Sequence, residues 1–549
     1  MTLKKISFLI FIAFCLTTMA QTAPTGRDFE SKPKLVVGIV VDQMRYDYLT
    51  RFAEKFGTSG FNTLLSQGHS FQNHFINYVP TKTAPGHATI HTGATPSTHG
   101  ILNNSWYDKA RHEVTYSVHD RSVDPVGTGS RMAQSSPHQL LVETISDINR
   151  QHTLLKGKTI SISLKDRGAV LSGGLKPNAA YWFRGEGQGH WISSSYYMKR
   201  LPKWVIEFNE ANQLEKYMEI WDTFSAVEDY TESGPDESPT ERGYRENKGT
   251  SFPYDLKSLA AANGGYDLLK ATPFGNSYTI DFALAALKEE ALGRDAHTDF
   301  LLISLSSTDD IGHNFGVDSK EVEDAYIRLD NDLQRFIKAL DATVGQNNYT
   351  LFLTSDHGAK SNPSFGLTAQ NDGAYFKEAT FKIALGDYVL DTFGNDKIIE
   401  HISGNMIYLN DSLVAVSERN ASAIQQSIKN YILKDPSIGS AATRTELLGT
   451  IMEDPTMLMI QKGFHPKRSG DIVYTLSEGM SLYAKTGSSH GSPHNEDTHV
   501  PLLFYGAGIQ RGATLRRTHP TDIAPTLATL LEIPFASYWK GDVLKEIFK

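Results

Sequence analysis

Apolar runs that end in charged residues set the pattern of this chain. Residues 35–41 (Leu-Val-Val-Gly-Ile-Val-Val) form a continuous, β-branched run. Such a run predicts a strand buried on both faces, as in a parallel sheet. Residues 158–164, 300–305 and 350–354 repeat the pattern, and 500–505 adds another core strand. Between them, Val322, Ala325, Tyr326, Leu329, Leu333, Phe336, Ile337 and Leu340 keep helical spacing and predict an amphipathic helix over 319–344. Shorter helices are predicted after Thr83 through Ile90, over 417–433, and over 521–533 with Pro525 near its start. Two stretches are irregular, about 173–298 and about 359–480. The first holds the aromatic islands Tyr181-Trp182-Phe183 and Trp191-Ile192 and an acidic run over 228–241. Strands alternating with helices predict an α/β fold. Its central sheet is expected to be mostly parallel and flanked by helices on both faces, with the two irregular stretches as insertions forming a cap over the site.

The ends and the charge narrow the setting. Lys4 and Lys5, an apolar run from Ile6 to Leu16, and Thr18-Met19-Ala20 match a cleavable signal peptide over residues 1–20, with Gln21 as the new N-terminus. The remainder, 21–549, reads as a single catalytic domain with two insertions. The apolar run is too short to span a membrane, and no later stretch is long and apolar enough. Cys15 is the sole cysteine, so cleavage removes the only thiol. Export without disulfides fits a bacterial periplasmic protein. With 53 Lys and Arg against 62 Asp and Glu, the net charge of −9 argues against nucleic acid as the main partner.

Four predicted strands each deliver polar residues at their C-terminal ends: Asp42; Lys165 with Arg167; Asp309 with His313; Asp356 with His357. Ligands of open α/β sheets bind outside those ends, so four such placements point to one site. Asp309 and His313 are four apart, which puts both on one face of a helical turn. Lys165 and Arg167 are two apart; in an extended segment they share a face and can clamp phosphate oxygens. Thr83 precedes Pro85-Gly86 and a helix, which places a hydroxyl where unpaired N–H groups favour an anion. An ordinary helix cap is the simpler reading of Thr83 in isolation. Together with His490, the inventory of three aspartates and three histidines suits two metal ions. Mixed imidazole and carboxylate favours Zn²⁺ over Mg²⁺. Two metals about 4 Å apart stabilise both attacking and leaving oxygens of an in-line displacement.

On these motifs the chain resembles the alkaline phosphatase superfamily, which includes nucleotide pyrophosphatase/phosphodiesterases, sulfatases and cofactor-independent phosphoglycerate mutases. It is most similar to the PafA-type bacterial periplasmic phosphatases, which use a threonine nucleophile. The motifs are Thr83-Ala84-Pro85-Gly86-His87, Asn104 with Trp106-Tyr107, Lys165-Asp166-Arg167, Thr308-Asp309 with Gly312-His313, Asp356-His357-Gly358, and His490-Gly491. The resemblance implies that Asp309, His313 and His490 hold one zinc on the leaving-group side. Asp42, Asp356 and His357 would hold the other, which also binds Thr83. Asn104, Lys165 and Arg167 would bind the phosphoryl oxygens. The implied reaction is a double displacement through phosphothreonine.

Small-molecule phosphate monoesters are the expected substrates. A monoester dianion offers three free oxygens, and Asn104, Lys165 and Arg167 supply donors for them. A phosphodiesterase or nucleotide pyrophosphatase of the same superfamily is the alternative within enzymes. An exported zinc- and phosphate-binding protein without turnover is the alternative of another class; the retained Thr83 argues against it, since binding needs no nucleophile. The sequence argues against a sulfatase, because Thr83 stands where Cys or Ser is needed for formylglycine and His87 where Arg would be. His494 and His499 compete with His490 on position alone; the His-Gly pair favours His490. His87 and His91 are read as orienting the loop, His499 as structural, and Asp310 as facing solvent.

Overall fold

The computed structural model describes residues 32–367, 374–482 and 485–548; the expected signal peptide lies outside them. Ten strands build the central sheet: β1 (Leu35–Val41), β2 (His69–Phe71), β3 (Pro125–Val126), β4 (Thr159–Ser163), β5 (Ala179–Arg184), β6 (His190–Ser194), β7 (Asp299–Leu305), β8 (Tyr349–Thr354), β9 (Leu502–Gly506) and β10 (Gly512–Thr514). Their order across the sheet is β10-β2-β9-β8-β1-β7-β4-β5-β6-β3. The middle five, β8-β1-β7-β4-β5, pair in parallel. Antiparallel strands flank them on both sides. The fold is thus α/β, on a mostly parallel mixed sheet.

Every residue of β1, β7 and β8 is buried, as continuous apolar runs require. Alternate residues of β1 enter different layers. Val37, Ile39 and Val41 pack with helices α3 (Pro273–Glu289) and α5 (Lys320–Thr343). Val36 and Val40 pack on the opposite face with Ile90 of α1 (Thr83–Thr92) and Leu527 of the helix Ile523–Leu531. Gly38 lies between them because a Cβ there would stand 2.6 Å from the Phe352 ring. α5 forms where its spacing predicts, and the Ser319 hydroxyl caps it by accepting from Val322 N at 3.2 Å.

Residues 173–298 are not an insertion throughout, and here the structure corrects the expectation. β5 and β6 lie in this range and extend the sheet, and α3 packs on it. Aromatic residues make β5 apolar on both faces: Tyr181 and Phe183 enter one layer, Ala180 and Trp182 the other. Within 359–480, a four-stranded sheet of Ile399–Ser403, Met406–Leu409, Ile438–Thr443 and Ile472–Leu476 has its own core with the helices Glu378–Phe393 and Ala421–Ile432.

The register brings the predicted strand ends together. Val41 is level with Leu305, Val40 with Thr354, and Ser304 with Ser163. Asp42, Asp356 and Lys165 therefore leave neighbouring strands at one edge. Asp309 and His313 lie on helix α4 (Ser307–Phe315), which follows β7.

Candidate active site

Thr83 opens helix α1, with Lys82 in extended conformation at the N-cap position. Its hydroxyl is therefore not spent as an N-cap. Thr83 is buried, and its Oγ1 lies 3.5 Å from His357 Nε2. All ten residues of α1 are buried, and Gly93 in the left-handed region ends the helix. The Asn104 side-chain oxygen accepts from Ala84 N at 2.9 Å, taking up a first-turn donor. That bond orients the amide and leaves the Asn104 NH₂ as a donor.

Two overlapping groups can each hold a metal ion: Asp309, His313 and His490, and Asp42, Asp309 and His357. His313 Nε2 lies 3.2 Å from Asp309 Oδ1, and His490 Nε2 lies 3.5 Å from the same oxygen. His357 Nε2 lies 3.4 Å from Asp42 Oδ1 and 3.6 Å from Asp356 Oδ2. The imidazoles of His357 and His490 stack with centroids 3.6 Å apart.

Each of these three histidines is anchored at Nδ1 by a backbone carbonyl. His313 meets Ser488 O at 2.8 Å, His357 meets Gly358 O at 3.0 Å, and His490 meets Thr81 O at 2.7 Å. A carbonyl only accepts, so Nδ1 carries a proton and Nε2 faces the cluster, the orientation of metal-ligating histidines. Burial holds His357 below its ordinary range, and burial with the neighbouring His357 holds His490 well below it. Burial, with Asp309 and Asp356 nearby, pushes Asp42 well above the usual carboxylate range. Asp42 Oδ1 is buried with no hydrogen-bond partner among the described residues. Inward-facing imidazoles, crowded carboxylates and an orphaned buried oxygen fit a pair of divalent cations.

Lys165 Nζ donates to Asp42 Oδ2 at 2.8 Å and to Asp309 Oδ2 at 2.5 Å. Burial opposes its charge, but the surrounding carboxylates outweigh that and raise its pKa. Against the expectation of an extended segment, Lys165 is the N-cap of helix α2 (Asp166–Gly173), which places Arg167 in the first turn. Arg167 Nη1 donates to Tyr116 Oη at 3.3 Å.

Tyr116 and Gln43 were not legible as site residues. Tyr116 ends a hairpin begun just after Asn104, where Ser105 pairs with Tyr116. Gln43, in the left-handed region at φ 64°, donates from Nε2 to Asp309 Oδ1 at 2.6 Å. Its one sequence signal is its place directly after Asp42.

The other histidines stand apart from both groups. His494 Nε2 faces Leu476 O at 3.4 Å, and His499 stacks on Tyr46 and Phe75. His87 bonds Thr83 O and Ser304 Oγ, each at 2.9 Å, and lies 3.3 Å from Asp356 Oδ2. His91 is buried and packs near Phe352. Asp310 is half-buried.

A family model described as Type I phosphodiesterase / nucleotide pyrophosphatase matches residues 36–500. Alkaline phosphatase PafA of Elizabethkingia meningoseptica is 40% identical over 520 residues, 94% of each chain. Alkaline phosphatase PhoV of Synechococcus elongatus is 38% identical over 556 residues, 100% of each chain. The crystal structure of wild-type PafA superposes with a TM-score of 0.90 at 39% identity, covering 94% of this chain and 99% of that one. The chain belongs to the type I phosphodiesterase / nucleotide pyrophosphatase family, on the PafA-type branch of the alkaline phosphatase superfamily.

Proposed function

We propose that the protein is a zinc-dependent alkaline phosphatase that releases inorganic phosphate from a broad range of monoesters through a phosphothreonine at Thr83. The observation that carries this reading is the buried Thr83 hydroxyl, 3.5 Å from His357 Nε2, at the start of a helix and beside the ligand cluster. Full-length similarity to proteins named alkaline phosphatases supports it.

Asp309, His313 and His490 would hold one cation. Asp42, Asp356 and His357 would hold the other beside Thr83. When bound, the pair supplies Lewis acidity to the attacking and leaving oxygens; imidazole-rich donors favour zinc. In the first displacement, Thr83 Oγ1 forms a bond to phosphorus as the bond to the leaving oxygen breaks. Water then attacks phosphorus, and the Thr83 oxygen departs. Asn104, oriented by Ala84 N, offers its NH₂ to one phosphoryl oxygen. Lys165 and Arg167 take the others, and their positive charge matches the monoester dianion. His87 fixes the first turn of α1 through Thr83 O. Thr83 and Lys165 are buried, which strengthens their interactions, and Asn104 and Arg167 are half-buried, within reach of a substrate.

The family model's own description favours diesters as a second reading. The test is kcat/KM for an aryl phosphate monoester and its matching diester on zinc-loaded wild type and Lys165→Ala. Monoester preference that collapses in the variant supports the phosphatase. Diester preference, unchanged or raised by the substitution, overturns it. No turnover of either substrate with both zinc sites full favours a binding protein.

The same reading places the protein in the periplasm after removal of residues 1–20. N-terminal sequencing of the mature protein is expected to begin at Gln21.

A further inference from the structure

A cavity of about 450 Å³ lies beside the phosphate-binding pair and is lined by both Lys165 and Arg167. Its wall carries two more cations, Arg184 and Lys270, which the reaction above does not use. Asp166 is the one carboxylate among its lining residues, and both of its oxygens are taken. Oδ1 accepts from Tyr116 Oη at 2.6 Å and Arg167 N at 2.7 Å; Oδ2 accepts from Ser135 Oγ at 3.1 Å. The partners of Arg184 and Lys270, Glu186 and Asp267, do not line the cavity. The Glu186 side chain is 59% exposed, so its pairing is largely screened by water.

Four cationic side chains, Lys165, Arg167, Arg184 and Lys270, thus share this cavity, and its one carboxylate is already satisfied. Guanidinium and ammonium groups around one space match an oxyanion.

We propose that this cavity is a second anion subsite, which takes a phosphate or carboxylate carried on the organic part of the substrate. Resting on the phosphomonoesterase reading, it makes phosphomonoesters with a second anionic group the preferred substrate class. Arg184 and Lys270 set that preference, and Arg167 faces both the reacting phosphoryl group and the subsite.

The test compares alkyl monophosphates with α,ω-alkanediol bisphosphates of three to six carbons on wild type, Arg184→Gln and Lys270→Ala. At the best chain length, kcat/KM for the bisphosphate is expected to exceed that of the monophosphate by about tenfold, the scale of one charge-assisted hydrogen bond. The two variants should lower that ratio to the twofold expected from two equivalent esters while leaving the monophosphate unchanged. A wild-type ratio of two at every length, or a ratio untouched by both substitutions, overturns the subsite. Calorimetric binding of the matching alkyl phosphonates and bisphosphonates gives a second readout. If no monoester is hydrolysed, the phosphatase reading fails, and the same tenfold criterion in binding decides the subsite independently.

Discussion

Lys165 Nζ lies 2.8 Å from Asp42 Oδ2, and the same ammonium reaches Asp309. One cation thereby joins the two candidate metal-binding groups, and both pairs are buried. Removing one member of a buried ion pair leaves a charge uncompensated, at a cost of about 3–5 kcal/mol. Lys165→Ala should lose about 3 kcal/mol of unfolding free energy in chelator. With saturating zinc the loss should shrink, since divalent cations neutralise the same carboxylates. Denaturant unfolding with and without zinc measures the difference; equal losses in both conditions would refute the argument.

His490 differs from His494 and His499 in burial and in where its Nε2 points: it is buried, and the other two are half-buried. Its Nδ1 is held by Thr81 O, and its Nε2 faces Asp309. His490→Ala should reduce bound zinc below two per chain, and His494→Ala should leave it unchanged. Metal analysis after gel filtration reads both. An unchanged zinc content in His490→Ala would remove it from the ligand set.

Gly86 lets α1 approach the end of β8. A Cβ at this position would stand 2.6 Å from both Asp356 Cβ and Asp356 O. Backbone must move to admit it, at a cost of about 1–3 kcal/mol. Displacing Thr83 relative to Asp356 by a fraction of an ångström should also slow turnover, by up to about a hundredfold. In Gly86→Ala, kcat should fall more than the melting temperature suggests. A variant with native kcat would show that the helix can yield here.

Glu241 sits in the loop that bonds the end of α4, where Arg242 N donates to Asn314 O at 2.7 Å. Burial pushes its carboxyl up to about 8, with Asp236 and Glu237 adding repulsion. Glu321 is itself raised well above the usual range by burial and by the charge of Glu241. A raised carboxyl is protonated in the folded chain while already ionised in the unfolded one. Its contribution is therefore fully present below the unfolded value near 4.5 and lost as pH rises through about 8. Glu241→Gln should stabilise the protein more at pH 9 than at pH 5. Melting curves at the two pH values test this, and a pH-independent difference would contradict it.

The sheet and the polar residues at its strand ends were legible because both depend on local pattern. β1, β7 and β8 are apolar at nearly every position, and the first charged residue after β1 is Asp42. α5 was legible from eight residues at helical spacing. β5 and β6 were hidden because short aromatic strands lack the aliphatic runs of the central ones. Arg167 was placed on an extended face because nothing in Lys-Asp-Arg announces that a helix starts at Asp166. The anchoring of His313, His357 and His490 was invisible for a different reason: carbonyls of Ser488, Gly358 and Thr81 do the work, and a carbonyl has no letter in the sequence.

Helix α1 has no solvent-facing side, since each of its ten residues is buried. A surface helix can fray or detach while the rest of a protein stays folded, but this one cannot leave without uncovering the sheet. Thr83 thus belongs to a part of the molecule that opens only with the sheet rather than to a loop that breathes. Softening of the reactive centre and global unfolding become one cooperative event. Adaptation to new substrates then falls to the cavity walls and the surrounding segments, which can vary without loosening Thr83.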